Sequence, residues 1–499
     1  MIKTEEKLRE YLAKMNDYSE ASKCLSLDMA TVMPSCGFER HRRAMTRLSS
    51  ELFAMRTSPE LKALIDELMK PENLDTLDDG MKYTVRRMNR EFIESSRIPA
   101  ELHAKYVSEK ALADRKWKEA KKARDYTIFQ DQLQKVIDLK KEITSLKHPG
   151  EPIYNALLNE CEEGMNIETY DRLFGDLKEC LIPLIRKILA APEPDDSKFI
   201  RSYDLNYERA AQEYLLKYIG FDYNRGSTAE TEHPFTSAFT LNDVRVTNHF
   251  HEDTAIRPMF SSIHEGGHAI FMQNADPSFE GLPAETCEHA GLHESQSRFY
   301  ENTLGHNINF WKPIYKDIQS IVPELSDVSL EEFNREINHV RNSFIRTCAD
   351  EVTYCLHIII RYELEKEIFI NNVPASRLRD MWNEKMEAYL GITPPDDSLG
   401  ILQDMHWANN YYGYFPTYLL GSIYDGMFLQ ALERDMGPVD TILAEGRILD
   451  ITKWLNQKIH VYGGTRTPHD TIATVCNCEV SAKPLCDYFM KKYGELYGL

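Results

Sequence analysis

His264 and His268 stand four residues apart in Met259-Phe260-Ser261-Ser262-Ile263-His264-Glu265-Gly266-Gly267-His268-Ala269-Ile270-Phe271, a stretch that reads as a helix. A four-residue step rotates a helix by only about 40°, so both imidazoles share a face and can bind one Zn2+. Glu265 lies beside them. From there a carboxylate can take a proton from the attacking water and pass it to a leaving amine, the acid/base role in metal-assisted amide hydrolysis. By itself the H-E-x-x-H string arises by chance in roughly one chain in twenty-five of this length and histidine content, so it needs company. Gly266-Gly267 supply some, because each helical glycine costs about 0.5–1 kcal/mol, which makes sense where substrate or another helix comes close. A third protein ligand would leave one position open for water. Glu294, in Leu292-His293-Glu294-Ser295-Gln296-Ser297-Arg298, follows after enough chain for a loop through Pro277, Gly281 and Pro283 and a returning second helix. It is preferred to Glu285 and Glu288, which sit nearer the loop, although Glu288 competes on geometry.

The elements that must hold these groups are mostly helical. Apolar residues recur at helical spacing in Lys7-Leu8-Tyr11-Leu12-Met15 and in Leu133-Val136-Ile137-Lys140-Ile143-Thr144. His148-Pro149-Gly150 closes a long charged helical region that runs from about Glu101, and the Ala191 to Asp196 run, rich in proline and acid, closes the stretch Leu173 to Leu189, with Pro183 a candidate kink. Both closures are loops or weak boundaries. Just before the histidine helix, Phe235 to Thr240 and Asp243-Val244-Arg245-Val246-Thr247 alternate β-branched and aromatic residues around Leu241-Asn242. This predicts a small antiparallel sheet, with Asp243 to Thr247 an edge strand able to pair with an extended peptide and Arg245 either an ion pair or a carboxylate contact.

Composition removes several alternatives. The 499 residues carry 59 Lys plus Arg against 79 Asp plus Glu, a net charge of −20 that repels nucleic acid and anionic lipid. The basic run Arg115 to Lys122 therefore reads as a solvated helix face. The most apolar stretch, Cys355 to Ile360, contains His357 and ends at Arg361, far short of the roughly 20 residues of a membrane span. The amino-terminal sequence shows no uninterrupted apolar signal region, so the expected location is cytoplasmic. Ten cysteines without a CxxC pair suggest reduced thiols, and no G-x-S-x-G elbow or cysteine signature supports a nucleophilic hydrolase.

Beyond the histidine helix, five motifs stand in order: His233-Pro234-Phe235; Asp243 to Thr247 as D-x-R-x-T; His264 to His268 with His293-Glu294-Ser295-Gln296; Ile345-Arg346-Thr347-Cys348-Ala349-Asp350; and Gly400-Ile401-Leu402-Gln403-Asp404-Met405-His406-Trp407. Together they resemble the thermostable Taq-type metallocarboxypeptidases. Met33-Pro34, Tyr414 to Tyr418 and Ile459-His460 extend the resemblance along the chain, while Ser26-Leu27-Asp28 departs from a tryptophan usual before the aspartate. The resemblance implies a mainly α, neurolysin-like helical saddle with a deep central groove and a small β-sheet beside the zinc helix. It implies one unit over 1–499, its N-terminal helical half (1–200) overhanging the groove and its catalytic half (201–499) holding the zinc. It also implies a homodimer, one Zn2+ per subunit that Co2+ can replace, and removal of single residues of broad type from peptides with a free C-terminus.

An exopeptidase must hold a terminal carboxylate, and Arg346, read as part of a helix, offers a bidentate fork, the alternative being a structural pair with Asp350. His406, Tyr414 and Tyr418 are candidates for stabilising the oxyanion, and His233 for contacting the substrate end. The rival activity is a zinc oligopeptidase cutting internal bonds.

Overall fold

The computed structural model describes residues 3–499, and the chain is mainly helical with one three-stranded sheet. Helix α1 (Lys3–Thr31) buries Leu8, Leu12 and Met15 on one stripe, and α2 (Phe38–Arg56) folds back along it. Helix α3 (Asp79–Ser96) adds Met81, Val85 and Met88, and together these form a small apolar cluster that Leu282 and Ala284 complete from much later in the chain. The larger core runs from Ala113 to Tyr493.

The helical region expected from about Glu101 to His148 is two helices, α4 (Ala100–Ala123) and α5 (Thr127–Lys147), packed on each other. The chain turns at Arg124, whose φ of 56° is left-handed. No glycine marks this turn. A side chain in that conformation costs about 1–2 kcal/mol, and burial of Trp117, Tyr126 and Phe129 on either side offsets it. Helix α5 stops just before His148-Pro149-Gly150. After α6 (Ile153–Cys161), α7 (Ile167–Leu189) continues through Pro183 and ends before the Ala191-Pro192 run. Helix α8 (Leu205–Ile219) ends on Gly220 at φ 105°.

The sheet corrects two expectations. Strands β1 (Gly226–Glu230), β2 (Thr236–Thr240) and β3 (Asp243–Asn248) lie in the order β1-β3-β2, with β2 antiparallel to β3 but β1 parallel to it. The sheet is therefore mixed, and Asp243 to Thr247 form its central strand, hydrogen-bonded on both sides and closed to a peptide. The free edges belong to β1 and β2. Strand β1 carries Gly-Ser-Thr-Ala-Glu, which has no apolar alternation to betray it.

Val244 and Val246 of β3 are fully buried, and the sheet packs on α9 (Ile256–Gln273), the helix with both histidines. A loop through short 3-10 turns leads to α10 (Ala290–Arg298), which carries Glu294 and packs on α9. Further on, α11 (Thr353–Phe369) is buried along most of its length. Helix α12 (Phe415–Met436) lies against α10, and α13 (Lys483–Tyr497) packs on α12 and α7.

The paired glycines of α9 are explained by close packing on two sides. A Cβ on Gly266 would lie 2.6 Å from Ile219 Cδ1 and 2.7 Å from Leu216 Cδ2 of α8, whereas one on Gly267 would lie 2.6 Å from the Gln296 carbonyl oxygen and 2.7 Å from Ser297 Cα of α10. Side-chain tips can move aside; backbone cannot. Gly267→Ala should therefore lose about 1–3 kcal/mol of stability or more by overpacking. Gly266→Ala should cost less, its clash partly offset by about 1 kcal/mol of helix propensity. Denaturant unfolding of the two variants checks the ranking.

Candidate active site

Packing of α9 on α10 brings His264, His268 and Glu294 together. His264 Nε2 and His268 Nε2 lie 3.9 and 3.5 Å from Glu294 Oε2, and the three donor atoms fall within 4.8 Å of one another. The opposite ring nitrogens are engaged elsewhere. Glu301 Oε2 is 2.7 Å from His264 Nδ1, and His293 Nδ1 is 2.7 Å from His268 Nδ1. Each imidazole is thus fixed by its outer nitrogen and turns Nε2 inward, an arrangement that suits a metal ligand. Two imidazoles and a carboxylate also match the donor chemistry of a divalent ion with one position left open. Glu301 sits on a π-helical turn, Phe299–Gly305, that continues α10.

Electrostatics reinforce this geometry. Burial would lower the His264 pKa, but the carboxylates of Glu301 and Glu294 outweigh it and raise it to about 9. A cation is therefore favoured at this point, and a metal would displace the proton. Burial drives the His293 pKa down to about 3, so this ring is neutral and meets His268 without adding charge. Glu294 would be raised by burial, yet Arg298, His264 and His268 hold it well below the carboxylate range. Arg298 Nε donates to Glu294 Oε1 at 2.7 Å, and its guanidinium lies 4.1 Å from the Tyr354 ring centroid.

Helix α10 is capped from a distant part of the chain. The wholly buried Glu162, just past α6, accepts hydrogen bonds from Gly291 N at 2.7 Å and Leu292 N at 3.2 Å. Burial pushes its pKa up to about 8. The alternative ligands are used otherwise: Glu288 accepts from Tyr83 at 2.9 Å and Arg90 at 2.7 Å, and Glu285 accepts from the backbone of Gly281 and Leu241. A second His/Glu grouping, Glu94, His148 and Glu160, has the ammonium of Lys147 paired to both carboxylates.

Glu265 is 8% exposed on the same helix, and Thr236 of β2 donates to its Oε2 at 2.6 Å. Arg346 corrects the reading of its motif, because it begins a short 3-10 turn, Arg346–Cys348, instead of lying in a long helix. Nor does it pair with Asp350, whose carboxylate accepts from the backbone of Arg341, Val352 and Thr353. Its partner is Asp404, at 3.0 Å from Nη2, and Arg361 holds the other oxygen of Asp404 at 2.7 Å. Two guanidiniums share one carboxylate, leaving one positive charge over; both arginines are buried, Arg346 at 8% exposure and Arg361 at 0%. Arg346 also donates to Tyr354 Oη at 3.1 Å, which links it through Tyr354 to Arg298.

Beside Arg346 stands an aromatic group. The Tyr418 ring lies 5.1 Å from its guanidinium, Tyr414 and Tyr418 rings are 5.3 Å apart, and His406 Nε2 is 3.2 Å from Tyr418 Oη. Burial, aided by Arg346 and Arg361, lowers the His406 pKa to about 4, so the ring is neutral near pH 7. Arg245 is turned away from this group, gripping Asp243 through two bonds of 2.7 and 2.8 Å and stacking on Phe239. His233 is exposed in the loop before β2, its carbonyl held by Thr231 at 2.9 Å. Sequence reasoning missed roles for Glu301, His293, Arg298, Glu162, Thr236, Asp404 and Arg361. Arg298, four residues after Glu294, and Glu301, seven after it on the same helical run, left usable signals of spacing, and His293 and Asp404 lie inside the sequence motifs.

A helical scaffold that presents H-E-x-x-H and a later glutamate from two packed helices, with a buried surplus cation nearby, belongs to the metallopeptidase class. The family can be named: over residues 7–493 the sequence matches the carboxypeptidase Taq (M32) metallopeptidases, and the chain belongs to that family. It is 38% identical to carboxypeptidase 1 of Bacillus subtilis over 99% of both chains, and 34% identical to thermostable carboxypeptidase 1 of Thermus thermophilus over 94% of both. The crystal structure of an M32 carboxypeptidase from Deinococcus radiodurans superposes with a TM-score of 0.96 over 100% of both chains at 30% identity. The chain is an enzyme, a metal-dependent carboxypeptidase.

The arginine pair gives a test of the site's internal support. Burial would raise the Asp404 pKa, but Arg361 and Arg346 hold it well below the usual aspartate range. Its contribution to stability is therefore complete above about pH 4 and is lost on acidification below that. Asp404→Asn leaves two buried guanidiniums without a counter-charge and should cost about 3–5 kcal/mol at pH 7. Denaturant unfolding at pH 7 measures that loss.

Proposed function

We propose that the protein removes single residues of broad type from the C-termini of peptides, using one Zn2+ per subunit held by His264, His268 and Glu294, with Co2+ able to replace it. The observation that carries this reading is the convergence of three donor atoms within 4.8 Å, both outer histidine nitrogens being occupied. When bound, the metal supplies Lewis-acid polarisation of the scissile carbonyl and lowers the pKa of a coordinated water. Glu265 accepts the proton of the attacking water and returns it to the leaving amine. Arg346, with the charge left over from Asp404, binds the terminal carboxylate so that only the last amide reaches the metal. Neutral His406 gives its Nε2 proton to Tyr418 Oη, which leaves the Tyr418 hydroxyl, with that of Tyr414 as the alternative, to donate to the oxyanion as the carbonyl becomes tetrahedral. Exposed His233 contacts the substrate on the β2 side, and Arg245 serves the sheet through Asp243. We further propose a cytoplasmic homodimer, in which residues 1–200 overhang the groove of the catalytic half, 201–499.

Two measurements test this reading. Glu265→Gln should retain metal and lose turnover, because an amide cannot accept the proton, whereas His264→Ala should lose the metal. Bound metal and hydrolysis measured on both variants should show defects of different kinds, and near-normal turnover by Glu265→Gln would overturn the mechanism. Mass spectrometry of peptide digests, with and without chelator, should show metal-dependent C-terminal ladders; internal fragments would indicate an oligopeptidase.

Losing a charge-assisted bidentate contact costs about 2–5 kcal/mol, so Arg346→Ala should lower kcat/KM on free-acid peptides by roughly thirty-fold to several thousand-fold. On C-terminally amidated peptides, already poor substrates, the loss should be much smaller. Equal losses on both would reduce Arg346 to a structural partner of Asp404.

A further inference from the structure

We infer that Thr236 positions Glu265 for proton transfer, and that Thr247 locks Thr236 in place. The inference rests on Glu265 acting as the base in the function proposed above. Thr236 Oγ1 lies 2.6 Å from Glu265 Oε2 and 3.0 Å from the carbonyl oxygen of the same residue. The shorter contact is to the carboxylate, so the hydroxyl does more than attach the strand to the helix. A glutamate side chain has several free torsions, and a donor fixed at one oxygen removes most of that freedom. With Oε2 occupied, Oε1 is left to receive the proton. A base held in a reactive geometry avoids the cost of ordering it during the reaction.

The strand that carries Thr236 is itself clamped next to it. Thr247 Oγ1 accepts from Phe235 N at 2.8 Å and donates to Phe235 O at 2.9 Å, while Thr247 N donates to the same carbonyl at 2.9 Å. Thr247 is wholly buried, and Val246, paired in register with Thr236, is wholly buried too. The last residue of Asp243-Val244-Arg245-Val246-Thr247 and the last of His233-Pro234-Phe235 are thus the two jaws of one clamp, and the next residue after the clamp touches the base. Two sequence motifs that supply no metal ligand gain a role in this way.

Thr236→Val retains the β-branched shape and strand preference but removes the donor. On a free-acid peptide its kcat should fall roughly ten- to hundred-fold, a part of the roughly 10²–10⁴-fold that a general base contributes. KM should stay within about twofold, and bound metal and Tm should match the parent, because only proton transfer is impaired. Thr236→Ser restores the hydroxyl and should recover kcat to within about threefold. In a Glu265→Asp background the shortened carboxylate no longer reaches the hydroxyl, so adding Thr236→Val should change residual kcat by less than about twofold. Parental kcat in Thr236→Val, failure of Thr236→Ser to recover, or equal losses in both backgrounds would overturn the inference while leaving Glu265 as the base. Near-normal turnover by Glu265→Gln would overturn the base assignment and this inference together, so the two failures are distinguishable.

Discussion

Backbone-to-backbone contact between α9 and α10 is the constraint on which the site depends. At Gly267 the two helices approach so closely that a methyl group would collide with the Gln296 carbonyl. This proximity sets the distance from the two imidazoles to Glu294, since all three sit on helices whose spacing a single side chain would enlarge. Glycines repeat the device on the far side, where Gly421 of α12 would place a Cβ 3.0 Å from Glu294 Cγ. Glu294 is therefore held between two helices and has little room to change rotamer. The positional accuracy comes from close-packed backbone, which yields less than side chains do.

Charge around Glu294 and Asp404 is managed by pairing. Arg298 neutralises Glu294, and Tyr354 stacks on Arg298 while accepting from Arg346. One tyrosine thus joins the surroundings of Glu294 to those of Arg346. Arg361, wholly buried, and Arg346, 8% exposed, share Asp404 and leave one positive charge over. Glu365 accepts from Trp407 Nε1 at 2.9 Å and Gly413 N at 2.8 Å, anchoring the loop between His406 and Tyr414 to α11.

The candidates His264, Glu265, His268 and Glu294 were legible in sequence because each lies in a short, local pattern whose period matches its element. Residues 259–271 and the ends of the long helices at Lys147 and Leu189 also follow local rules of periodicity and breakers. What could not be read depends on contacts between distant segments. Strand β1 is recruited by β3 and has no apolar rhythm of its own, and the break at Arg124 is imposed by packing on both sides of it. Arg346 has Asp350, four residues away, as the structural alternative to a substrate carboxylate, because helical spacing is the information a sequence supplies. Its partner Asp404 lies 58 residues on. Glu162 and Thr236 were invisible for the same reason, since their roles exist only after folding joins them to α10 and α9.

The cap on α10 has a consequence for how the enzyme can be divided. Glu162 satisfies the first amides of the helix that holds Glu294, yet it enters the chain more than a hundred residues before the first histidine of the site. The core likewise runs from Ala113 into the C-terminal helix, so α4 to α7 share one core with the site. A fragment beginning near residue 201 would keep every group proposed to touch metal or substrate and lack the carboxylate that seats the helix carrying one of them. Trimming this protein to its chemistry would remove the chemistry's foundation, which extends back through Glu162 to the start of the shared core at Ala113.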